Sequence, residues 1–208
     1  MSIISRMTRC PRPFEPEAGE EARALFPGLA EEPRALVAGA AGCSPYIRTL
    51  CAAEADWLPG ALEAPEAALE AINEALAGCA PEAVAGALRQ AKRRVALLVA
   101  LADLAGVWPL EEVTARLTAF ADHAVQLALD TAIRAEIRRG KLPEADAEAI
   151  AQGLGMVVLA MGKMGAGELN YSSDIDLICL FDETRFDEGA LHEARAGFVR
   201  ATRRMAAM

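Results

Sequence analysis

The stretch that decides the fold is residues 156–181, which reads MVVLAMGKMGAGELNYSSDIDLICLF. Its first part, Met156–Met161, is a continuous apolar run with glycine on both sides, and such a run is typical of a buried strand. Its last part, Asp174–Phe181, starts with alternating polar and apolar residues and then becomes apolar throughout. The pattern therefore predicts two strands joined by a glycine-rich turn and a polar segment.

Two aspartates, Asp174 and Asp176, lie two positions apart where the second predicted strand begins. Because side chains alternate along a strand, both carboxylates should point to the same face, with Cα atoms roughly 6–7 Å apart. Oxygen ligands held in this way suit Mg²⁺, which binds one or two carboxylates together with substrate phosphates. We therefore predict that this pair binds metal and takes part in catalysis.

The glycine-rich turn before the aspartates contains Gly162, Gly165 and Gly167, with Lys163 beside the first glycine. Backbone N–H groups in such a turn can approach a phosphate closely, and Lys163 adds a positive charge. Each part alone also has a plainer interpretation, as a tight turn, a helix cap or a solvated charge. The order of strand, glycine turn and D-x-D strand favours a site for phosphoryl or nucleotidyl transfer.

Upstream of this region the sequence predicts helices. Ser44 is a typical N-cap residue, and Pro45 follows it at the first helical position. This pair predicts a helix to about Trp57. Pro59-Gly60 should then break the chain. Four more helices are expected at Pro65–Gly78, Pro81–Gly106 and Pro109–Gly140, and from Asp187 or Glu188 onward. The sequence therefore predicts an α+β fold that is mostly α.

The helix expected from Pro109 carries an apolar seam at three- and four-residue spacing, and the helix before it contains the apolar run Val95–Ala102, which should be buried. The seam consists of Leu110, Val113, Leu117, Phe120, Ala124 and Leu127. Packing within a helical bundle and dimerisation through a coiled coil would give the same seam. We favour packing within the chain.

The composition and the residue pattern divide the chain into three parts. Residues 1–43 mix proline, glycine and charge, which predicts an irregular lead-in with one short helix around Glu17–Leu25. Residues 44–150 form the helical region, and residues 151–208 hold the two strands. The last helix has no cap, glycine or proline to close it, so we expect the chain to belong to a longer protein.

Composition excludes several classes of protein. The chain has 208 residues and a net charge of −9, so a sequence-independent nucleic-acid binder is not expected, because such a protein needs a basic face. The sequence contains no apolar stretch of about 20 residues, and so predicts no membrane span. Met1–Pro13 lacks the apolar block of a secretory signal. The five cysteines show no C-x-x-C spacing, which predicts reduced thiols in the cytoplasm.

Residues 162–177, GKMGAGELNYSSDIDL, closely resemble the signature of the glutamine synthetase adenylyltransferase/adenylyl-removing enzyme family, which belongs to the DNA polymerase β-like nucleotidyltransferases. Helical segments upstream, notably Leu88–Gly106 and the start Leu110–Val113, also resemble this family. The resemblance covers most of residues 44–208. It implies that residues 151–208 begin a nucleotidyltransferase domain, with its first two strands and flanking helices, that is incomplete in this chain.

In that family the N-terminal domain removes AMP from a tyrosine of glutamine synthetase by phosphorolysis and releases ADP. A separate domain adds AMP from ATP, and the PII signal protein sets the balance, so the resemblance implies an enzyme that regulates nitrogen assimilation, with glutamine synthetase and PII as partners. It also implies two Mg²⁺ ions on Asp174 and Asp176, and a nucleotide substrate (ADP, ATP or AMP). Gly162 and Ser173 would shape the phosphate side, Lys163 would supply charge, and Gly165 would belong to the same phosphate-binding turn.

The resemblance further implies a third carboxylate on a later strand, after Met208, so the chain alone is expected to be inactive or nearly so. Asp182 and Glu183 are expected to be solvated loop residues rather than that ligand. A uridylyltransferase-like enzyme of the same fold and a non-catalytic helical interaction module are the alternatives. The motif does not distinguish removal from addition of AMP.

The last helix carries four arginines, which could attract phosphate or simply be solvated: Arg195, Arg200, Arg203 and Arg204.

Overall fold

The computed structural model describes all residues from Met1 to Met208. The helices are α1 (Ile3–Arg6), α2 (Pro16–Ala24), α3 (Glu31–Ala41), α4 (Pro45–Ala53), α5 (Leu58–Glu63), α6 (Pro65–Ala77), α7 (Val84–Leu104), α8 (Leu110–Arg138), α9 (Ala147–Ala151), α10 (Gly162–Gly165) and α11 (Glu188–Ala206). The strands are β1 (Met156–Ala160) and β2 (Leu177–Phe181). With 65% of residues in helices and one small antiparallel sheet, the predicted mostly-α α+β class is confirmed.

The chain forms two compact units. The first comprises Met1–Ala75 and Arg89–Leu117, and the second comprises Leu76–Leu88 and Thr118–Met208. The division into domains at residues 44 and 151, which the sequence predicted, stays a prediction.

In the first unit, residues 1–43 are not the irregular lead-in that their composition predicted. Three helices occupy most of this segment, and Leu36 and Val37 of α3 are fully buried. The prolines that suggested loops include Pro16 and Pro33, which lie in the first turns of α2 and α3, where a missing N–H costs nothing. The short helix expected around Glu17–Leu25 is confirmed as α2.

The predicted cap of α4 is confirmed, since the Ser44 hydroxyl accepts a hydrogen bond from the Ile47 N–H at 3.3 Å. The helix ends at Ala53 rather than Trp57. The break expected at Pro59-Gly60 is wrong, because Pro59 lies in the first turn of α5, where proline is tolerated.

A buried carboxylate fixes α7 in this unit. Glu54 is only 3% exposed, and its two oxygens accept hydrogen bonds from Nε of Arg93 at 3.0 Å and Nε of Arg94 at 2.8 Å. The Arg94 guanidinium also lies over the Trp57 ring, 5.1 Å from its centre. The apolar run that follows, Val95–Ala102, is buried as predicted, apart from a partly exposed Ala96.

In the apolar seam of α8, Val113 and Leu117 are buried within the chain, whereas Leu110 is 70% exposed and does not pack. The remaining seam residues, Phe120, Ala124 and Leu127, are partly exposed. The helix ends at Arg138, two residues before the predicted end at Gly140, and the φ of +65° at Gly140 lets its N–H and that of Lys141 reach the last carbonyls.

In the second unit, the two strands pair antiparallel and pack on α11. Met156 pairs with Phe181 and Ala160 with Leu177, which sets the register. The Phe181 ring stacks on Phe198 of α11, with ring centres 4.9 Å apart. The strand expected from Asp174 begins three residues later, at Leu177.

The arginines of α11 are largely paired rather than solvated. Glu136 of α8 is fully buried, and it accepts hydrogen bonds from Arg200 at 2.7 Å and Arg204 at 3.5 Å. Arg195 forms an ion pair with Glu183. These contacts tie α11 to its neighbours and explain most of the arginine cluster by packing.

Candidate functional site: a cleft at the end of the sheet

The sheet register brings the glycine segment and the aspartates to the same end of the strands. Ala160, the last residue of β1, pairs with Leu177, the first residue of β2. The pairing continues for one more step, because the Met161 N–H donates to the Asp176 carbonyl at 2.9 Å. Asp174 and Asp176 therefore precede β2, beside the residues that leave β1.

The glycine segment forms one helical turn, α10, instead of a plain turn. Gly162 begins this turn and Gly167 follows it, with φ of +57° and +75°, values that favour glycine. A Cβ atom on Gly165 would lie 2.3 Å from the Ala160 carbonyl oxygen. Gly165 is thus needed for the close approach of α10 to β1, and it does not line the cleft described below.

The polar segment is a turn organised by Asn170. The Ser173 N–H donates to the Asn170 carbonyl at 3.3 Å, and the Ser173 hydroxyl donates to Asn170 Oδ1 at 2.7 Å. The Ser172 N–H donates to the same Oδ1 at 3.2 Å. The turn places Ser173 directly before Asp174.

A buried hydrogen bond anchors this segment to α8. The Leu169 N–H donates to Thr118 Oγ1 at 3.1 Å, and Leu169 and Thr118 are 8% and 7% exposed. Met164 of α10 is also buried. The segment between the strands is therefore attached to α8 at Leu169 and has a second buried apolar side chain in Met164.

These elements enclose a cleft of about 260 Å³. The cleft is lined by Met161, Gly162, Lys163, Asn170, Ser172, Ser173, Asp174 and Asp176. Five of the six residues predicted for the site are in this set, and only Gly165 is not. Sequence reasoning missed Met161, Asn170 and Ser172, although asparagine at the start of a polar turn is a known signal for a turn held by its side chain.

The donor set of the cleft suits a magnesium ion. The carboxylates of Asp174 and Asp176 are exposed to the cleft, and neither forms an ion pair with a side chain of the protein. No group of three or more His, Cys, Asp or Glu residues is placed to hold a metal. One or two carboxylates completed by phosphate oxygens is the usual protein environment of Mg²⁺.

Asp182 and Glu183 lie outside the cleft, as expected. The Asp182 carboxylate accepts hydrogen bonds from the Thr184 hydroxyl at 2.6 Å and the Thr184 N–H at 3.0 Å, and these bonds lower the pKa of Asp182. Glu183 pairs with Arg195. Both residues are exposed and belong to the exit from β2.

A second cavity of about 340 Å³ lies between α8 and β1. It is lined mainly by apolar side chains, with Asp122, Gln126 and Gln152 as its polar members. It contains none of the predicted site residues.

The structure is that of a mostly helical α+β protein whose small sheet ends in a cleft with two carboxylates, a glycine segment and a lysine. Residues 35–208 match the model of a family described as glutamate-ammonia ligase adenylyltransferase. The chain therefore belongs to the glutamate-ammonia ligase adenylyltransferase family.

Curated relatives agree with this assignment. The chain is 44% identical over 200 residues to the bifunctional glutamine synthetase adenylyltransferase/adenylyl-removing enzyme of Bradyrhizobium sp. (strain BTAi1), a match that covers 93% of this chain and 20% of the relative. It is 40% identical over 191 residues to the enzyme of the same name from Xanthobacter autotrophicus, covering 86% of this chain and 19% of the relative. The chain thus spans about a fifth of the length of these relatives.

No solved structure matches this chain. None of its helices has the length and apolar character required to cross a bilayer.

Proposed function

We propose that the cleft binds the phosphates of a nucleotide together with a divalent cation, and that residues 151–208 begin a nucleotidyltransferase domain. The observation that carries this proposal is the convergence of Asp174, Asp176, Gly162, Lys163 and Ser173 on one cleft. The cleft contains charges of both signs, and a polyphosphate with its counter-cation needs both.

The residues of the cleft would bind different parts of the ligand. Asp174 and Asp176 would hold Mg²⁺, which when bound neutralises negative charge on the phosphate oxygens. Lys163 is exposed at the cleft and would place its ammonium against a phosphate as a point charge. Gly162, with no side chain and a positive φ, leaves its backbone open to the ligand.

We further propose that the reaction is the phosphorolytic removal of AMP from a tyrosine of glutamine synthetase, with the PII signal protein as a regulatory partner. The relatives' name includes both adenylyltransferase and adenylyl-removing enzyme, which supports glutamine synthetase as the substrate and is compatible with either direction of AMP transfer. All five cysteines are free thiols, which supports a reducing compartment such as the cytoplasm.

The complete reaction is proposed for a protein of the relatives' length. A third carboxylate, from outside residues 1–208, would complete the metal site, so the chain alone is expected to bind nucleotide but to turn over little or none. Binding is therefore the sharper measurement.

The test is calorimetric titration of the 208-residue chain with ATP in the presence of Mg²⁺. Asp174→Asn and Asp176→Asn should each weaken binding at least tenfold, since each removes a charge that holds the cation. Asp122→Asn is the matched control, because this exposed aspartate lies in the second cavity, and it should bind as the unmodified chain does. Equal affinities for all four proteins, or no binding by any, would overturn the proposal.

The same titration with UTP separates the uridylyltransferase-like alternative. An adenylyltransferase site is expected to prefer ATP, whereas the alternative requires a preference for UTP. A non-catalytic helical module requires that neither nucleotide bind.

A further inference from the structure

Asn170 contributes the amide of its side chain to the lining of the cleft. Its Oδ1 accepts hydrogen bonds from the Ser172 N–H at 3.2 Å, the Ser172 hydroxyl at 3.4 Å and the Ser173 hydroxyl at 2.7 Å. The Asn170 oxygen is therefore fully used in holding the turn.

The Ser172 N–H also decides which end of the amide is oxygen. A backbone N–H can only donate, so the atom that faces it must be an acceptor, and the amide nitrogen of asparagine is a donor. Nδ2 of Asn170 therefore points away from the turn. None of the hydrogen bonds of Asn170 involves Nδ2, so its two N–H groups have no partner within the protein.

Asn170 lines the same cleft as Lys163 and the aspartate pair, and its turn ends one residue before Asp174. Phosphate oxygens attached to a cation on Asp174 and Asp176 would thus lie next to the turn. An uncharged N–H donor in that place suits an anionic oxygen, and a hydrogen bond to a charged group is among the stronger ones.

We propose that Nδ2 of Asn170 donates a hydrogen bond to a phosphate oxygen of the nucleotide, while Oδ1 of the same side chain holds the turn. This inference rests on the proposed function. It assigns Asn170 a direct contact with the ligand in addition to its contacts within the turn.

Two substitutions remove the donor and keep an acceptor for the Ser172 N–H. Asn170→Ser can form the corresponding turn through its hydroxyl without adding charge, and Asn170→Asp replaces Nδ2 by a second oxygen of nearly the same shape. Gln152→Glu is the matched control for the change from amide to carboxylate, because Gln152 is exposed and lies in the second cavity.

Three measurements on the 208-residue chain test the assignment: ATP titration with Mg²⁺, Mn²⁺ titration without nucleotide, and thermal unfolding without either. Asn170→Ser should weaken ATP binding about tenfold, and Asn170→Asp should weaken it more because it adds repulsion. Asn170→Ser should leave Mn²⁺ affinity and the Tm close to their unmodified values, and Gln152→Glu should bind ATP normally.

Each other outcome overturns the donor role. ATP binding by Asn170→Ser within about twofold of the unmodified chain shows that Nδ2 makes no net contact with phosphate. An equal loss of Mn²⁺ and ATP binding shows that the substitution displaces the aspartates instead. If the unmodified chain binds Mn²⁺ but not ATP, or neither, the proposed function itself fails and this inference fails with it.

Discussion

Thr118 Oγ1 on α8 accepts a hydrogen bond from the Leu169 N–H at 3.1 Å, and both residues are almost completely buried. Leu169 lies in the segment between the strands, directly before the turn that begins at Asn170. This one bond therefore connects the helical scaffold to the segment that presents Ser173 and Asp174 to the cleft.

Thr118→Val should detach this segment. The substitution keeps the side-chain shape but leaves the Leu169 N–H buried without an acceptor, which costs about 1–3 kcal/mol. Urea unfolding measures the loss, and amide hydrogen exchange at Leu169 should accelerate. Thr118→Ser keeps the hydroxyl and should restore the protection of Leu169. Equal exchange rates in the valine variant and the unmodified chain would contradict this role for the bond.

The pH dependence of stability should report on Glu136. Burial acts to raise the pKa of this carboxyl, but the hydrogen bond from Arg200 and the charges of Arg200, Arg139 and Arg204 outweigh it, so the pKa lies below its ordinary value. A carboxyl whose pKa is lowered on folding stabilises the folded state above its unfolded pKa of about 4.3. That stabilisation is lost as the pH falls through the lower folded pKa.

Glu136→Gln should accordingly lower the free energy of unfolding by about 2 kcal/mol at pH 7, which is less than the usual cost of about 3–5 kcal/mol because the arginines remain partly exposed. The difference should shrink as the pH falls below about 4. Glu193→Gln, which breaks the exposed pair with Lys141, is the control and should cost less than about 1 kcal/mol. A difference for Glu136→Gln that is the same at pH 3 and pH 7 would rule out this account.

The helices that the sequence predicted well are those with local signals at their ends. The Ser44 hydroxyl caps α4, and Gly140 closes α8 with a positive φ, and both effects depend only on neighbouring residues. Residues 1–43 were predicted less well, although the Ser2 side chain caps α1 in the same way. Their prolines indicate loops locally, whereas the full burial of Leu36 and the close approach of Gly39 to the Pro11 carbonyl arise from distant parts of the segment.

In the site, too, the features that depend on atoms distant in sequence were not predictable. The two-residue spacing of Asp174 and Asp176 predicted that both carboxylates lie on one face of a strand. Both residues line one cleft, but they precede β2, so alternation along a strand is not what places them there. The packing role of Gly165 and the orientation of the Asn170 amide were not predictable. Each depends on an atom that only the folded chain brings near, the Ala160 carbonyl in the first case and the Ser172 N–H in the second.

Thiol reactivity should separate the cysteines by burial. Cys51 is fully buried, and burial raises its pKa to about 12, whereas Cys43 is exposed. Because the thiolate is the reactive form, a thiol reagent at pH 8 should modify Cys43 in the folded chain and leave Cys51 untouched until urea is added. Cys43→Ser should remove one fast equivalent and Cys51→Ala none. Fast modification of Cys51 without denaturant would show that this part of the core opens readily.

Gly165→Ala should damage the site more than Gly162→Ala. A Cβ on Gly165 would lie 2.3 Å from the Ala160 carbonyl oxygen, so α10 must move away from β1, at a cost of about 1–3 kcal/mol. Alanine at Gly162 meets no atom within 4 Å and pays only for its φ of +57°, about 1 kcal/mol. Gly189→Ala, with open space and no unusual φ, is the control and should leave stability unchanged or slightly higher.

Because α10 carries Gly162 and Lys163 into the cleft, Gly165→Ala should also weaken ATP binding with Mg²⁺. Normal stability and normal binding in Gly165→Ala would mean that the contact between α10 and β1 can relax without consequence for the cleft.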